Sequence, residues 1–298
     1  MDLVRHLHQL GGVATRTALV RATSRAAFDR AFANGDMVRD AHGRYALPVA
    51  EAALRSANAL TGVVSHRSAA LHKGWQVKVV PPFPDVTVRR NRTIDAERRA
   101  GIALHWANLS PDEIDGNVTA RDQTLIDCMR ALPFDEALAI ADSAQRNRSV
   151  TQGHLVALAQ TVRGPGAPQA RRVARESTHL AANPFESVLR AIALDVPGLD
   201  LRPQVVISDR QGRGRPDLVD WTHRWVVEAE SYSWHSKPAA LRRDCRRYTK
   251  LVLLGWRVLR FAWVDVMHHQ DYVRECLMEA ASIAAQRAGS EAAGDVAA

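Results

Sequence analysis

The stretch from Arg215 to Phe261 limits the possible folds more than any other part of the chain. Two runs, PDLVDW and WVVEAES, are rich in Val, Leu and Trp and flank Trp221-Thr222-His223-Arg224. They are short enough to be neighbouring strands of one hairpin. With Thr222-His223 as the loop, Asp217 falls opposite Glu228, their Cβ atoms about 4.5–5.5 Å apart and pointing the same way. Glu230 shares that face by the two-residue strand period. From Ala239 to Leu254, Leu241, Cys245, Tyr248 and Val252 recur at helical spacing, and Gly255 ends the helix. WRVLRFAW follows as another strand. Strand, helix, strand is a crossover unit, so its two strands are expected to be parallel and right-handedly connected.

Three carboxylates on one face of mostly apolar strands need a compensating positive charge, because ionised carboxylates side by side out of water are costly. A divalent cation supplies that charge compactly. Mg²⁺ accepts one or two protein carboxylates, with waters and a substrate phosphate completing its shell. The outline is that of a phosphodiester-hydrolysis site. The other way to balance these acids is structural, through Arg202, Arg215 or an arginine of the following helix. That helix carries Arg242, Arg243, Arg246, Arg247 and Lys250, and residues 202–260 hold 13 Lys/Arg against 6 Asp/Glu. Basic flanks around an acidic centre suit a polyanion held over a metal.

Asp217, Glu228-Ala229-Glu230, His235, Asp244, Arg247 and then Gly255-Trp256-Arg257-Val258-Leu259-Arg260-Phe261 together resemble the very-short-patch-repair-like nucleases. These are a branch of the restriction-endonuclease-like PD-(D/E)XK superfamily. The resemblance covers about the last third of the chain. It implies an αβββαβ core, Mg²⁺ or Mn²⁺ as cofactor, and Asp217 and Glu228 as metal ligands. The superfamily lysine that positions the attacking water is replaced by Glu230, which can act as a further ligand, and Lys237 is placed to reach in from the next loop. His235 is a candidate ligand or acid/base, or else a hydrogen-bonding loop residue. Glu186 matches an acid that this branch often carries on the helix before its sheet. Asn183-Pro184-Phe185-Glu186 is equally a capping arrangement with proline at the first helical position.

The 298 residues suit two or three domains, and 46% hydrophobic content supports true cores. A net charge of +8 favours an anionic partner such as nucleic acid. Cys128, Cys245 and Cys276 are too scattered for a disulfide framework or a zinc site and read as reduced core residues. No segment approaches the apolar length of a membrane span, so a soluble cytoplasmic protein is expected.

Residues 1–48 read as three helices and a hairpin. Gly11-Gly12 ends the first helix, Thr15 and Ser24 cap the second and third, Phe28, Ala31 and Phe32 point inward, and the chain turns near His42-Gly43. This is the plan of a winged helix-turn-helix, with Arg25, Arg30, Arg39 and Arg44 as DNA contacts. The same module can instead serve protein pairing. Residues 49–150 mix helical and strand segments into an α+β middle region. Ser65-His66-Arg67-Ser68-Ala69-Ala70 before Gly74, Arg121-Asp122-Gln123-Thr124-Leu125-Ile126-Asp127, Glu136-Ala137-Leu138 and Ala141-Asp142-Ser143 make the first half similar to AbiEi-type antitoxins. That resemblance implies promoter-DNA binding and a partner toxin. Ser65 and His66 have no acid beside them in sequence and are assigned to helix capping and packing.

Residues 151–178 form a helical connector broken at Gly164-Pro165-Gly166, 179–287 the nuclease-like domain, and 288–298 a small, polar, disordered tail. The chain is therefore expected to be a multi-domain α/β protein that binds DNA and hydrolyses phosphodiester bonds with a metal, in phage defence or DNA repair. The alternative is a non-catalytic DNA-binding regulator or antitoxin with a degenerate nuclease fold.

Overall fold

The computed structural model describes residues 3–10, 12–48, 50–209, 212–230 and 238–295. The protein is a mixed α/β chain of two units, the first made of Met1–Leu132 and Ala157–Ala170, the second of Pro133–Val156 and Arg171–Ala298.

In the first unit, α1 (Leu3–Gln9) and β1 (Val13–Thr15) lead into α2 (Arg16–Ala22) and α3 (Arg25–Ala33). The hydroxyls of Thr15 and Ser24 accept the N–H groups of Ala18 and Ala27, satisfying donors that a helix start otherwise leaves open. β2 (Val38–Ala41) and β3 (Arg44–Ala46) turn at His42-Gly43, where Gly43 takes the left-handed φ of +68°. The small sheet has the order β1-β3-β2. Phe28 and Ala31 are buried, whereas Phe32 is 44% exposed and meets the Tyr45 ring edge-on. Phe32 thus rims this core instead of filling it, because the short hairpin covers only part of the α3 face.

The unit continues through α4 (Ala52–Leu60), β4 (Val63–Val64), α5 (His66–His72), β5 (Asp85–Val88), α6 (Ala96–Arg99), β6 (Ala103–Trp106), β7 (Ile114–Asp115), β8 (Val118–Thr119) and α7 (Arg121–Ala131). Its five strands run in the order β6-β5-β4-β8-β7, and Val64, Val86, Val88 and Val118 pack with Leu54 and Leu60 of α4.

The helix α8 (Phe134–Arg146) clusters with the second unit, not with the middle region. The next two helices, α9 (Gln152–Thr161) and α10 (Ala167–Glu176), each give residues to both units. Between them Gly166 has φ +81°, and a Cβ there would run into the Arg130 carbonyl, so this turn admits no side chain.

In the second unit, α8 packs along α11 (Pro184–Ala193), and a buried ion pair joins them. Arg190 donates to both Asp142 carboxylate oxygens at 3.0 and 2.7 Å, while Ser187 Oγ and the Thr178 N–H supply two more donors. Four donors are what a carboxylate at zero exposure needs to offset its lost hydration.

Then come β9 (Arg202–Pro203), a separate hairpin of β10 (Ile207–Asp209) and β11 (Gly212–Gly214), β12 (Leu218–Asp220), β13 (Trp225–Glu230), α12 (Pro238–Leu253) and β14 (Arg257–Ala262). The sheet order is β14-β13-β12-β9, with β13 and β14 parallel and β12 antiparallel to both its neighbours. Leu218 and Val227 face a core that includes Leu189, Phe261 and Val266; Val219 and Val226 face Tyr248, Leu251 and Trp256. Both sheet faces are therefore covered, as the apolar character of the two strands requires.

The apolar face of α12 differs from the sequence expectation. Tyr248 and Leu251 are buried, Cys245 is exposed and Val252 is 59% exposed, while the side chain of Leu241 lies outside the described residues. The buried face passes through Tyr248 and Leu251, which pack on Val219, Val226 and Trp256, instead of through Cys245 and Val252. Of the three free cysteines only Cys128 is buried.

After α13 (Trp263–His268), α14 runs Gln270–Asp295, into the 288–298 segment where a disordered tail was expected. Its terminal run is rich in alanine, the strongest helix former. Among the described residues no helix is long and apolar enough to cross a membrane.

Candidate functional site

The hairpin pairs Leu218 with Val227, Val219 with Val226 and Asp220 with Trp225, with the chain turning across Trp221–Arg224. Continued by one residue, this register sets Asp217 beside Glu228, as the spacing of the two runs predicts. Asp217 Oδ2 accepts the Ala229 N–H at 2.8 Å and its carbonyl accepts the Gln204 N–H at 3.0 Å, so the carboxylate is fixed at the mouth of the hairpin. By the strand period, Glu228 and Glu230 lie on the face shared with Val226, the one that α12 covers.

The helix answers these acids with its own side chains. Arg247 Nη1 lies 2.9 Å from Glu228 Oε1, an ion pair reached from α12. The approach is off the N–H direction, so this buried oxygen keeps no well-formed hydrogen bond. Glu230 Oε1 accepts from the Tyr248 hydroxyl and from Arg260 Nε, and Arg247 donates to the Tyr248 oxygen at 2.8 Å. Of the two ways to compensate the cluster, the guanidinium route is thus present for Glu228 and Glu230. Arg202 pairs with Asp200 instead, and Arg215 is exposed.

Glu186 joins from the first turn of α11. Its carboxylate accepts from the Ala182 N–H, from Asn183 Nδ2 and from Gln204 Nε2, while the Asn183 side chain caps the Glu186 N–H. Gln204 Nε2 also approaches Asp217 Oδ1 at 3.4 Å and so links the two acids. Capping residue and member of the cluster are one role here, not rivals. Sequence reasoning passed over Gln204; its only local signal is the left-handed φ of +55°, visible once the backbone is known.

Burial and the nearby Asp217 charge push Glu186 up to about 7 and Glu228 up to about 8. Burial also raises Asp217, against the pull of the Ala229 N–H and Arg247. The cluster therefore favours protons near neutral pH, the usual sign of carboxylates that lack enough positive charge.

Asp217 and Glu228 fit a hard divalent cation as adjacent oxygen donors raised toward the protonated form, with the Arg247 guanidinium standing on Glu228 Oε1 where such an ion would supply the charge. Glu230 fits less well, because Tyr248 and Arg260 already take its oxygen. Among the described residues no group of three His, Cys, Asp or Glu side chains is arranged to hold a metal ion. His235 and Lys237 lie outside the described residues.

No family model matches the chain. Two mycobacterial proteins are similar to it: the uncharacterized proteins MT2308 of Mycobacterium tuberculosis strain CDC 1551 / Oshkosh and Rv2248 of strain H37Rv. Each is 28% identical over 222 residues, covering 73% of this chain and 76% of the relative.

Of the basic residues proposed to meet nucleic acid, Arg242, Arg243 and Arg246 are exposed on α12, Lys250 is half-buried, and Arg247 turns inward to Glu228. Arg25, Arg30 and Arg39 are exposed in the first unit, with Arg39 reaching His42 Nδ1 at 3.1 Å. Arg44 is half-buried, and burial together with Arg92 holds its guanidinium below the ordinary value.

Ser65 and His66 sit in a second polar cluster. Ser65 occupies the N-cap position of α5 but makes no capping bond; its hydroxyl accepts from Thr87 Oγ1 at 2.8 Å and lies 3.0 Å from His66 Nδ1. The capping role assigned to it is therefore wrong, while the packing role holds. The His66 ring stacks on His105 at 3.6 Å, and His105 Nε2 lies 2.9 Å from Asp85 Oδ1. An acid does complete the row, brought in by the pairing of β5 with β6, which sequence adjacency cannot reveal.

Ser65 has no exposed surface, so the row is a buried packing network. Burial and His105 push His66 down to about 3, so in the fold the ring stays neutral where an unfolded chain would protonate it. Stability of the first unit is expected to fall as pH drops from about 6.5 toward about 3, partly offset below about 6 by Asp127, which burial raises to about 6. His66→Asn, which tolerates the φ of +47° there, should reduce that loss by about 2 kcal/mol in urea unfolding at about pH 4.5 against neutral pH. An unchanged pH dependence counts against this account.

Proposed function

We propose that this chain binds DNA and carries a metal-dependent phosphodiester-hydrolysing site in its second unit, working in the cytoplasm in phage defence or DNA repair. The observation that carries the reading is the β12/β13 register that seats Asp217 against Glu228, with Glu186 joined through Gln204. In this reading α11, the β9-β12-β13 meander, α12 and β14 form a restriction-endonuclease-like αβββαβ core. Residues 1–48 form a winged helix-turn-helix, and the middle region is of the AbiEi type.

Asp217 and Glu228 would hold Mg²⁺ or Mn²⁺ in their deprotonated forms. Such an ion supplies a polarised water and counter-charge for the scissile phosphate. The chain's own groups do the rest. The Ala229 N–H orients Asp217, and Gln204 holds it against Glu186. Arg242, Arg243 and Arg246 on the exposed side of α12 hold flanking phosphates. Glu230 keeps Tyr248 and Arg260 in place, and no lysine among the described residues takes the superfamily position.

A second reading has its own support. Arg247 on Glu228, with Tyr248 and Arg260 on Glu230, already compensates two of the three acids. That arrangement favours a DNA-binding regulator or antitoxin, with a toxin protein as partner, that has kept the fold without the chemistry. Incubation of the purified chain with supercoiled plasmid in Mg²⁺ or Mn²⁺ separates the two. Nicking that stops with chelator is the expected result; binding to DNA without nicking in either metal gives the second reading the field.

A further inference from the structure

The C-terminal ends of β5 and β6 lie side by side, with Val88 paired to Trp106. The chain leaves β5 through Arg89, Arg90, Asn91 and Arg92, and leaves β6 through Ala107, Asn108, Leu109 and Ser110, without an acidic residue in either segment. Arg89, Arg90 and Asn91 are exposed. Trp106 is 43% exposed although its indole N–H is donated to the Arg92 carbonyl at 3.2 Å. The ring is thus tethered through its N–H while much of it stays exposed. Asn108 Oδ1 accepts the Arg90 N–H at 3.2 Å and ties the two exits together.

Beside them opens a groove of about 550 Å³ lined by Thr61, Thr87, Arg89, Asn91 and Arg92 together with small and apolar groups, and no carboxylate. Arg92 bonds the last carbonyls of α4 and faces this groove, and it also acts electrostatically on Arg44 of the β2/β3 hairpin.

A tethered, exposed aromatic ring beside exposed arginines is what a single strand of nucleic acid recognises, because a base stacks on the ring while the phosphates follow the charge. A paired duplex does not offer such a base. We infer that the Arg89–Arg92 exit and Trp106 form a binding surface for a single-stranded stretch of nucleic acid. The inference rests on the reading of the chain as a nucleic-acid binder and is independent of its acidic cluster.

The test is fluorescence anisotropy of the full chain with a labelled oligothymidine and with a blunt duplex of the same length. Trp106→Ala should weaken oligothymidine binding roughly tenfold, and Trp106→Phe should restore most of it. Arg89→Ser with Arg90→Ser should lower the slope of log affinity against log salt by about 1.4, the share of two phosphates on a single strand. Arg39→Ser in the hairpin should weaken the duplex and leave oligothymidine unaffected. Absence of oligothymidine binding, or binding that none of the changes at 89, 90 and 106 alters, overturns the inference. If duplex binding survives in that case, the DNA-binding reading stands without it; if duplex binding is absent as well, both fall.

Discussion

Asp217→Asn is expected to reduce metal-dependent plasmid nicking roughly a thousandfold or more while leaving DNA binding intact. Asparagine has the shape of aspartate and can still accept the Ala229 N–H at Oδ1, so the hairpin mouth is preserved while the charge and the acceptor facing Gln204 Nε2 are lost. The same change removes a charge that pushes Glu186 and Glu228 upward, so the second unit should become more stable as activity disappears.

The pH sign follows from those two acids. Their folded pKa values, about 7 and about 8, lie above the unfolded value of 4.5, so the folded form binds more protons. The stability they contribute is full below about 4.5 and is lost progressively as pH rises from there to about 8. In Asp217→Asn that loss should shrink. Divalent metal binding runs the other way, because it requires the deprotonated carboxylates, and should strengthen over the same interval. Nicking by Asp217→Asn at the wild-type rate would remove the acidic cluster from the reaction.

Arg190→Met is expected to destabilise the second unit by about 3–5 kcal/mol, since it leaves the carboxylate of Asp142 buried without its cation. Asp142 keeps two donors, Ser187 Oγ and the Thr178 N–H, but neither carries charge. Asp142→Leu together with Arg190→Met should recover much of the loss, because an apolar pair of similar volume has no charge to desolvate. Urea unfolding of the intact chain reads both. Glu186 lies one helical turn before Arg190 on α11, so the single variant should also disturb the cluster at Asp217. A loss under about 1 kcal/mol in Arg190→Met would place the α8/α11 contact among the weak ion pairs of exposed surfaces.

The hairpin was legible in the sequence because its evidence is local: two apolar runs, a polar turn and a two-residue period fix which residues oppose each other. The parallel pairing of β13 and β14 followed for the same reason, from strand, helix and strand in succession. Cap residues such as Thr15, Ser24 and Asn183 were equally readable, since a side-chain oxygen three residues ahead of the N–H it accepts is a short-range pattern.

What stayed hidden depends on contacts far apart in the chain. Arg190 meets Asp142 across 48 residues, and Asp85 meets His105 across 20. The phase of α12 was missed because Leu251 and Val252 are adjacent and both apolar, and only the packing of Leu251 on Val219, Val226 and Trp256 decides which of them goes inward. Arg247 was readable as a basic residue but not as the counter-ion of Glu228, since nothing in a run of arginines distinguishes the inward one until the helix phase is known.

The two units exchange pieces of chain: residues 133–156 of the second precede residues 157–170 of the first. No single cleavage can therefore release either unit free of a piece of the other. On the ribosome, the first unit must wait for its closing segment until after α8 has emerged, and α8 in turn must wait for its partner α11. Truncation experiments that stop near residue 132 or start near residue 171 would each strand an orphaned piece, and a permuted or co-expressed split would be needed to study one unit apart from the other.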